Sequence, residues 1–321
     1  MKRMIRTTAL FIIFVLACPQ SARAARLLVP GGQLVGLELS NGTVTVAAFD
    51  DGCSNARDAG VRIGDQILEV DGRPVSSAED VRKALAAADG TVRLTLLREG
   101  KRHILNLKSI PGDSGPRLGL CLRQGIAGIG TITFYDPDTD TFGTLGHGIS
   151  DAKGNPASMV RGRAWRASVS SVRKGLPGDP GQLRGTADTE HPAGELLRNT
   201  AQGVFGTSPR GFSGEPLPTA EFCEITPGPA KIRCTVEGED IREYSVEILK
   251  IYPRDRADCR NFMIRVTDPD LLEVTGGIVQ GMSGSPIIQD GKLVGAVTHV
   301  LVNDPTRGYG IFIENMLDAA G

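Results

Sequence analysis

The sequence predicts a mainly β protein, with a small α/β sandwich over residues 27–110 followed by a larger all-β domain over residues 111–321. Three observations carry this. Glycine (41) and proline (19) are abundant in a chain of 321 residues, which suits short strands joined by turns. Short apolar runs recur along the chain with Gly, Pro, Asn and Asp between them. Amphipathic helical stretches are few, the clearest placing Val81, Leu85 and Ala88 on one face. Hydrophobic residues at 40% and charged residues at 23% exclude a disordered chain, and a net charge of −1 excludes a polybasic nucleic-acid binder.

Residues 1–26 read as a signal peptide or membrane anchor. Lys2, Arg3 and Arg6 precede the apolar run Ala9–Ala17, and Ala22-Arg23-Ala24 fits a small-residue cleavage pattern. Val15-Leu16-Ala17-Cys18 is a weak lipid-attachment pattern. The expectation is export, with membrane association through this segment open. No cysteine pair has the CxxC spacing of a zinc or redox site, so no metal or cofactor is expected. Cys223 and Cys234 flank Pro227-Gly228-Pro229 in what reads as a hairpin, either as cross-strand disulfide partners or as small buried thiols.

In the first domain, Leu34–Leu39 and Thr43–Ala48 read as strands split by the hairpin signal Asn41-Gly42. The run Ala59 to Gly72 comes next. Ser76-Ser77-Ala78-Glu79 opens a helix as a capping box, and strands Thr91–Leu97 and His103–Lys108 follow. The run from Ala59 to Gly72 with its helix resembles a PDZ domain. The resemblance implies a groove in which a peptide lies as an added strand. The stretch matching its carboxylate loop is Pro30–Leu39, with Gly36, Leu37, Glu38 and Leu39 as the candidate peptide-binding residues.

The second domain shows runs that read as strands from Gly130–Tyr135 to Gly308–Phe312, the signature of a sandwich or a pair of barrels. Gly281-Met282-Ser283-Gly284-Ser285-Pro286 sets a serine between glycines on a tight turn. There the N–H groups of Gly281 and Ser283 can point at one spot, as an oxyanion hole needs. Strand, Asp290-Gly291 turn and strand follow, an arrangement similar to chymotrypsin-like serine peptidases. Gly211-Phe212-Ser213-Gly214-Glu215-Pro216 fits the same pattern, but Pro218 blocks a following strand, so Ser283 is the candidate nucleophile. A serine needs a base. Of the four histidines, His103 and His191 read as surface residues. His147 lies in Leu145-Gly146-His147-Gly148, where small flanks leave the ring accessible, and is the candidate base. His299 and Thr298, on the strand after the serine hairpin, read as lining the substrate cleft. Asp268 is the candidate orienting acid, with Asp151 and Asp304 as rivals and helix capping before Pro269 as the plain alternative. Asp136-x-Asp138-x-Asp140 reads as a solvated hairpin turn rather than a calcium loop.

The second domain also resembles the SpoIVB peptidases, the sporulation stage IV protein B family. The matching stretches are Gly128–Pro137, Leu145–Ile149, Lys174–Gly178, Asn199-Thr200, Gly203–Gly206, Val266–Pro269, and Gly276 to Val300 continuing through Asn303-Asp304-Pro305 and Gly308-Tyr309-Gly310. The resemblance implies a chymotrypsin-like double β-barrel behind a PDZ domain, and a triad of His147, Asp268 and Ser283. It also implies an extracytoplasmic endopeptidase that cleaves itself and a membrane-associated regulatory protein, releasing a late sigma factor. The competing expectations are a PDZ scaffold with a degenerate peptidase domain and a general extracytoplasmic quality-control protease.

Overall fold

Long antiparallel strands dominate the chain, and two closed barrels result from how they pair. The structure, a computed structural model, describes residues 26–112, 115–151 and 154–321. Apart from Arg26, the expected signal peptide or anchor lies outside the described residues. No helix among the described residues is long and apolar enough to cross a membrane. In chain order the elements are β1 (Leu27–Pro30), β2 (Leu34–Phe49), α1 (Asn55–Asp58), β3 (Gln66–Val70), β4 (Arg73–Pro74), α2 (Ala78–Ala86), β5 (Thr91–Arg98), β6 (Lys101–Lys108) and β7 (Leu120–Asp136). There follow β8 (Thr141–Thr144), β9 (Arg161–Arg173), β10 (Gln182–Thr200), β11 (Gly203–Thr207), β12 (Leu217–Pro218), β13 (Gly228–Thr235) and β14 (Ile241–Ile251). The last are β15 (Phe262–Val266), α3 (Pro269–Thr275), β16 (Pro286–Gln289), β17 (Lys292–Leu301), β18 (Asp304–Phe312) and α4 (Ile313–Ala320).

The second barrel runs β13-β14-β15-β18-β17-β16 and closes on itself. The first runs β7-β8-β11-β10-β9-β2 and closes because β2 also pairs with β7. The mainly β expectation therefore holds, with β10 as the long strand that the sequence did not announce. Its exposed stretch from Arg184 to Pro192 is polar and carries no period-2 apolar pattern.

The expected boundary between the domains is corrected. Leu34 to Ser40 belong to the first barrel, where Val35–Ser40 pair with Arg161–Arg166 on one side and Leu34–Leu39 with Ile126–Thr131 on the other. Val35, Leu37 and Leu39 are at most 2% exposed and pack in that barrel's core with Ile132, Phe142 and Val204. The PDZ unit is thus inserted into the barrel between the two halves of β2 and of β7. Its own core gathers Val44, Val46, Ile67, Val81, Leu85, Leu94 and Leu107. Asn41-Gly42 makes no hairpin turn. Both flanking segments run along β7, and Ser40–Thr43 form a bulge in β2 opposite Gly125. The bulge is held by Thr43 N donating to Asn41 Oδ1 (3.1 Å) and Gly42 N to Ser40 Oγ (3.2 Å).

Smaller expectations shift too. The acid that completes the α2 cap is Asp80, not Glu79: Ser77 Oγ accepts from Asp80 N at 3.0 Å, and Ser76 N donates to Asp80 Oδ2 at 3.0 Å. Cys234 is buried in the second barrel, whereas Cys223 is exposed in a 3-10 turn, and both thiols are free. The chain enters β13 directly at Gly228, so the hairpin expected about Pro227-Gly228-Pro229 does not form. Asp136 is not a solvated turn residue. It is fully buried, pairs with Arg26, and accepts from Asp138 N at 3.0 Å and Thr139 Oγ1 at 2.9 Å.

Candidate active site and peptide groove

Ser283 sits on a turn between the barrels. Met282 N donates to Val279 O (3.1 Å), Ser285 N to Met282 O (2.9 Å) and Gly284 N to Val297 O (2.8 Å), which anchors the turn to its own barrel. The first barrel holds it from the other side. Thr131 N donates to Ser283 O (2.9 Å), Thr131 Oγ1 to Gly281 O (2.8 Å) and Thr133 Oγ1 to Gly284 O (2.7 Å). Gly284, at φ +95°, is packed so closely that a Cβ would lie 2.0 Å from Thr131 O and 2.5 Å from Leu145 N. Only glycine fits that conformation without strain. Among the described residues the N–H groups of Gly281 and Ser283 donate to no backbone partner.

The strand end that carries His147 reaches the same seam. Leu145 is buried with a left-handed φ of +69°, a conformation that costs a non-glycine residue about 1–2 kcal/mol. Gly146 follows, packed so that a Cβ would meet Thr298 Cγ2 at 2.8 Å. The chain after His147 is pinned by Asn199, which accepts from Ile149 N (2.9 Å) and donates to Ile149 O (2.8 Å) and Ala157 O (2.9 Å). His147 Nδ1 lies 3.0 Å from Gly148 O. A carbonyl oxygen only accepts, so Nδ1 carries the proton and Nε2 is left as the basic nitrogen. Burial holds the imidazole below its usual pKa, against a smaller upward pull from the Gly148 carbonyl.

Thr298 and His299 join this seam. Ser283 Oγ donates to Thr298 O at 2.9 Å, and Thr298 Oγ1 donates to Tyr309 O at 3.2 Å. The His299 ring lies against His147 with centroids 5.2 Å apart and planes tilted by 41°. Burial, with the neighbouring His147 and Arg260, pushes the His299 pKa down to about 4. The structure therefore brings His147, Gly281, Ser283, Thr298 and His299 together. The serine hydroxyl rests on a carbonyl rather than on the imidazole. Ser213 is an exposed residue of the loop between β11 and β12, whose neighbour Phe212 packs edge-on against Tyr135 and Phe142.

The expected orienting acid, Asp268, makes no hydrogen bond to His147 among the described residues. Its carboxylate caps α3, accepting from Asp270 N (3.1 Å), Leu271 N (3.2 Å) and Ser245 N (3.1 Å). Its charge helps to raise the Cys234 thiol, which burial pushes up most, and the Tyr244 hydroxyl. The local rule explains this, since an Asp before Pro at a helix start is the side chain that satisfies the first free N–H groups. The rivals are engaged as well: Asp304 pairs with Arg307 at 3.1 Å, and Asp151 accepts from Asn155 N at 3.0 Å. The group that orients His147 here is a backbone carbonyl, which no side-chain pattern signals.

The expected peptide-binding residues are corrected too. Gly36, Leu37, Glu38 and Leu39 have β7 on one edge and β9 on the other, so no strand can be added there. Glu38 instead accepts from Trp165 Nε1 at 3.3 Å. A groove of about 560 Å³ lies elsewhere on the PDZ unit. Its walls are Ala78, Val81 and Leu85 of α2 and the stretch Leu118, Leu120 and Leu122 entering β7, with Arg82 and Arg117 at its rim. Among the described residues, Leu120–Gln124 pair only with β2, leaving the edge toward α2 unpaired.

The model of the SpoIVB peptidase S55 family matches residues 115–317, and a PDZ-domain model matches residues 53–98. Among curated proteins none matches the chain. Among solved structures, the PDZ domain of an SdrC-like protein from Listeria monocytogenes is similar at 22% identity, covering 26% of this chain and 92% of that one, with a TM-score of 0.23. The active form of the Rv3671c protease from M. tuberculosis is similar at 14% identity over 61% of this chain and 75% of that one, with a TM-score of 0.37. Its inactive form matches at 16% identity over 60% and 84%, with a TM-score of 0.35. With the family model spanning most of the chain, the protein belongs to the SpoIVB peptidase S55 family and is a serine peptidase with a PDZ domain.

Proposed function

We propose that the protein is an extracytoplasmic serine endopeptidase in which Ser283 is the nucleophile and His147 the general base. The carrying observation is that Ser283 Oγ rests on Thr298 O while the ring of the next residue, His299, lies against His147, whose Nδ1 is committed to Gly148 O so that Nε2 is the acceptor. In this reading, Ser283 swings from Thr298 O to His147 Nε2, loses its proton there and attacks a peptide carbonyl. The free N–H groups of Gly281 and Ser283 stabilise the oxyanion, and the imidazolium returns its proton to the leaving amine. Thr298 and His299 line the cleft that receives the substrate. The Gly148 carbonyl holds the tautomer.

Family membership and the basic-apolar start of the chain support the physiological part of the proposal. The enzyme acts outside the cytoplasm, associated with a membrane through its N-terminal segment. It cleaves itself and a membrane-associated regulatory protein, in a sporulation pathway that releases a late sigma factor. The test compares the parent with Ser283→Ala and Ser213→Ala. Hydrolysis of a peptide substrate and labelling by a fluorophosphonate should both vanish in the first, with a rate loss on the order of 10⁴ or more, and persist in the second. The opposite pattern would overturn the assignment.

A further inference from the structure

Two of the polar atoms that the fold leaves without a partner lie beside the candidate base. The His299 ring of β17 stands against His147, and Tyr309 of β18 is its strand partner. Arg260, in the segment entering β15, lays its guanidinium over the Tyr309 ring at 5.0 Å. Its charge reaches the His299 imidazole, adding to burial and to His147 in holding that ring's pKa down. His299 Nδ1 and Arg260 Nε are both shielded from solvent, and neither has a hydrogen-bond partner among the described residues. The remaining nitrogens of these two half-buried side chains, Nε2 of His299 and both Nη of Arg260, make no hydrogen bond there either and stay accessible. The neighbouring arginines differ. Arg254 pairs with Asp318, and Arg256 holds Asp258 at 2.8 and 2.6 Å. Asp258 accepts from Arg260 only through the backbone N–H, at 3.3 Å. A cation partly withdrawn from water with no acid paired to it is the exception in folded proteins.

We propose that Arg260 and His299 form a subsite for a carboxylate side chain, so that the enzyme prefers substrates with Asp or Glu within three residues of the cleaved bond. The proposal rests on the peptidase reading above and names the class of substrate it takes. The place follows from the serine. Ser283 Oγ is held by Thr298 O, so a chain whose carbonyl lies at Ser283 passes the next residue, His299, within a short span. Pairing of β16 with β17 ends at Ala296, which leaves His299 where that edge of β17 is free for a substrate backbone. The chemistry follows from the donors. A guanidinium lying with its face on a ring keeps its N–H fork free in its own plane, and that fork matches a carboxylate. With no acceptor for Nδ1, the hydrogen of the neutral His299 ring is better placed on Nε2, which then donates to the same anion. An apolar side chain would take the guanidinium out of water without pairing it, and a basic one would be repelled.

The experiment uses the full chain. It is given a library of random decapeptides, and the cleaved bonds are identified by mass spectrometry. The best sequence is then remade with Glu, Gln or Lys at each of the three positions on either side of the bond. One of these positions should favour Glu over Gln about 10-fold or more in kcat/KM. That ratio should fall toward one in Arg260→Gln and stay above one in Arg260→Lys. In Arg260→Glu, Lys should overtake Glu at the same position. Each reading is a ratio within one variant, so a general loss of activity does not imitate it. A parent that cleaves yet shows no acidic preference at any of these positions would overturn the subsite and leave the peptidase standing. A Glu-over-Gln ratio as large in Arg260→Gln as in the parent would do the same. Cleavage that persists in Ser283→Ala is a different failure, which overturns the peptidase reading and the subsite with it.

Discussion

An imidazole that serves as a base works best when it stays neutral at the operating pH, and burial does this for His147. The acid limb of kcat/KM should therefore have its midpoint below 6.5, the ordinary histidine value; a pH–rate profile with a midpoint at or above it would contradict the assignment. His299 titrates for stability rather than chemistry. Its folded pKa of about 4 lies below the unfolded value. Its contribution is thus complete above about 6.5 and is lost as pH falls from there toward about 4. Denaturant midpoints at pH 7 and pH 5 should differ less in His299→Gln than in the parent. Gly284 makes the sharpest steric case. An added Cβ meets both left-handed strain and the Thr131 carbonyl, so Gly284→Ala should destabilise by about 2–5 kcal/mol in a denaturant titration and abolish hydrolysis.

Elements differ in how openly the sequence states them. β15 and β17 span the residues their apolar runs mark, and the serine turn with its hairpin follows from spacing alone. The pairing partners do not follow. Leu34–Leu39 would read the same as a PDZ strand or a barrel strand, because the apolar pattern records burial and not the neighbour that provides it. The orienting group of His147 was hidden for a related reason: a backbone carbonyl has no residue signature, while Asp268 carries one for a different job. Within the PDZ unit, β5 bears a buried ion pair of the same unannounced kind. Arg98 Nε and Nη2 donate to Asp65 at 2.7 Å each, and Asp65 is 1% exposed. Burial raises the Asp65 carboxyl, but Arg98 and the Arg62 N–H outweigh it and hold it below 3.8. Arg98→Met strands that carboxylate and should cost about 3–5 kcal/mol at neutral pH. The pH dependence should also weaken. The parent loses this contribution as pH falls through the carboxylate range, whereas in the variant burial is opposed chiefly by the Arg62 N–H and the loss on acidification should be smaller.

At the scale of the whole molecule, the insertion decides which pieces can exist alone. A fragment of residues 111–321 matches the sequence boundary, yet it lacks Leu34–Ser40, the strand with neighbours on both edges. Without it the first barrel opens between β7 and β9, and Val35, Leu37 and Leu39 vanish from a core that holds Ile132, Phe142 and Val204. Each of those side chains contributes on the order of 2–5 kcal/mol, against a net stability of about 5–15 kcal/mol for a typical domain. The opened barrel would also lose its grip on the serine turn, because Thr131 and Thr133 lie on the strand left with a bare edge. A second chain keeps residues 27–40, replaces 41–124 by a short glycine-rich turn and continues from 125. It retains the pairings of Leu34–Ser40 with β7 and β9. That chain should give the sharp near-ultraviolet dichroism and cooperative melting of a folded domain and should label with fluorophosphonate, whereas the 111–321 fragment should do neither. A well-folded, labelling-competent 111–321 fragment would show that Leu34–Ser40 is dispensable to the barrel, and the inserted arrangement would have to be abandoned.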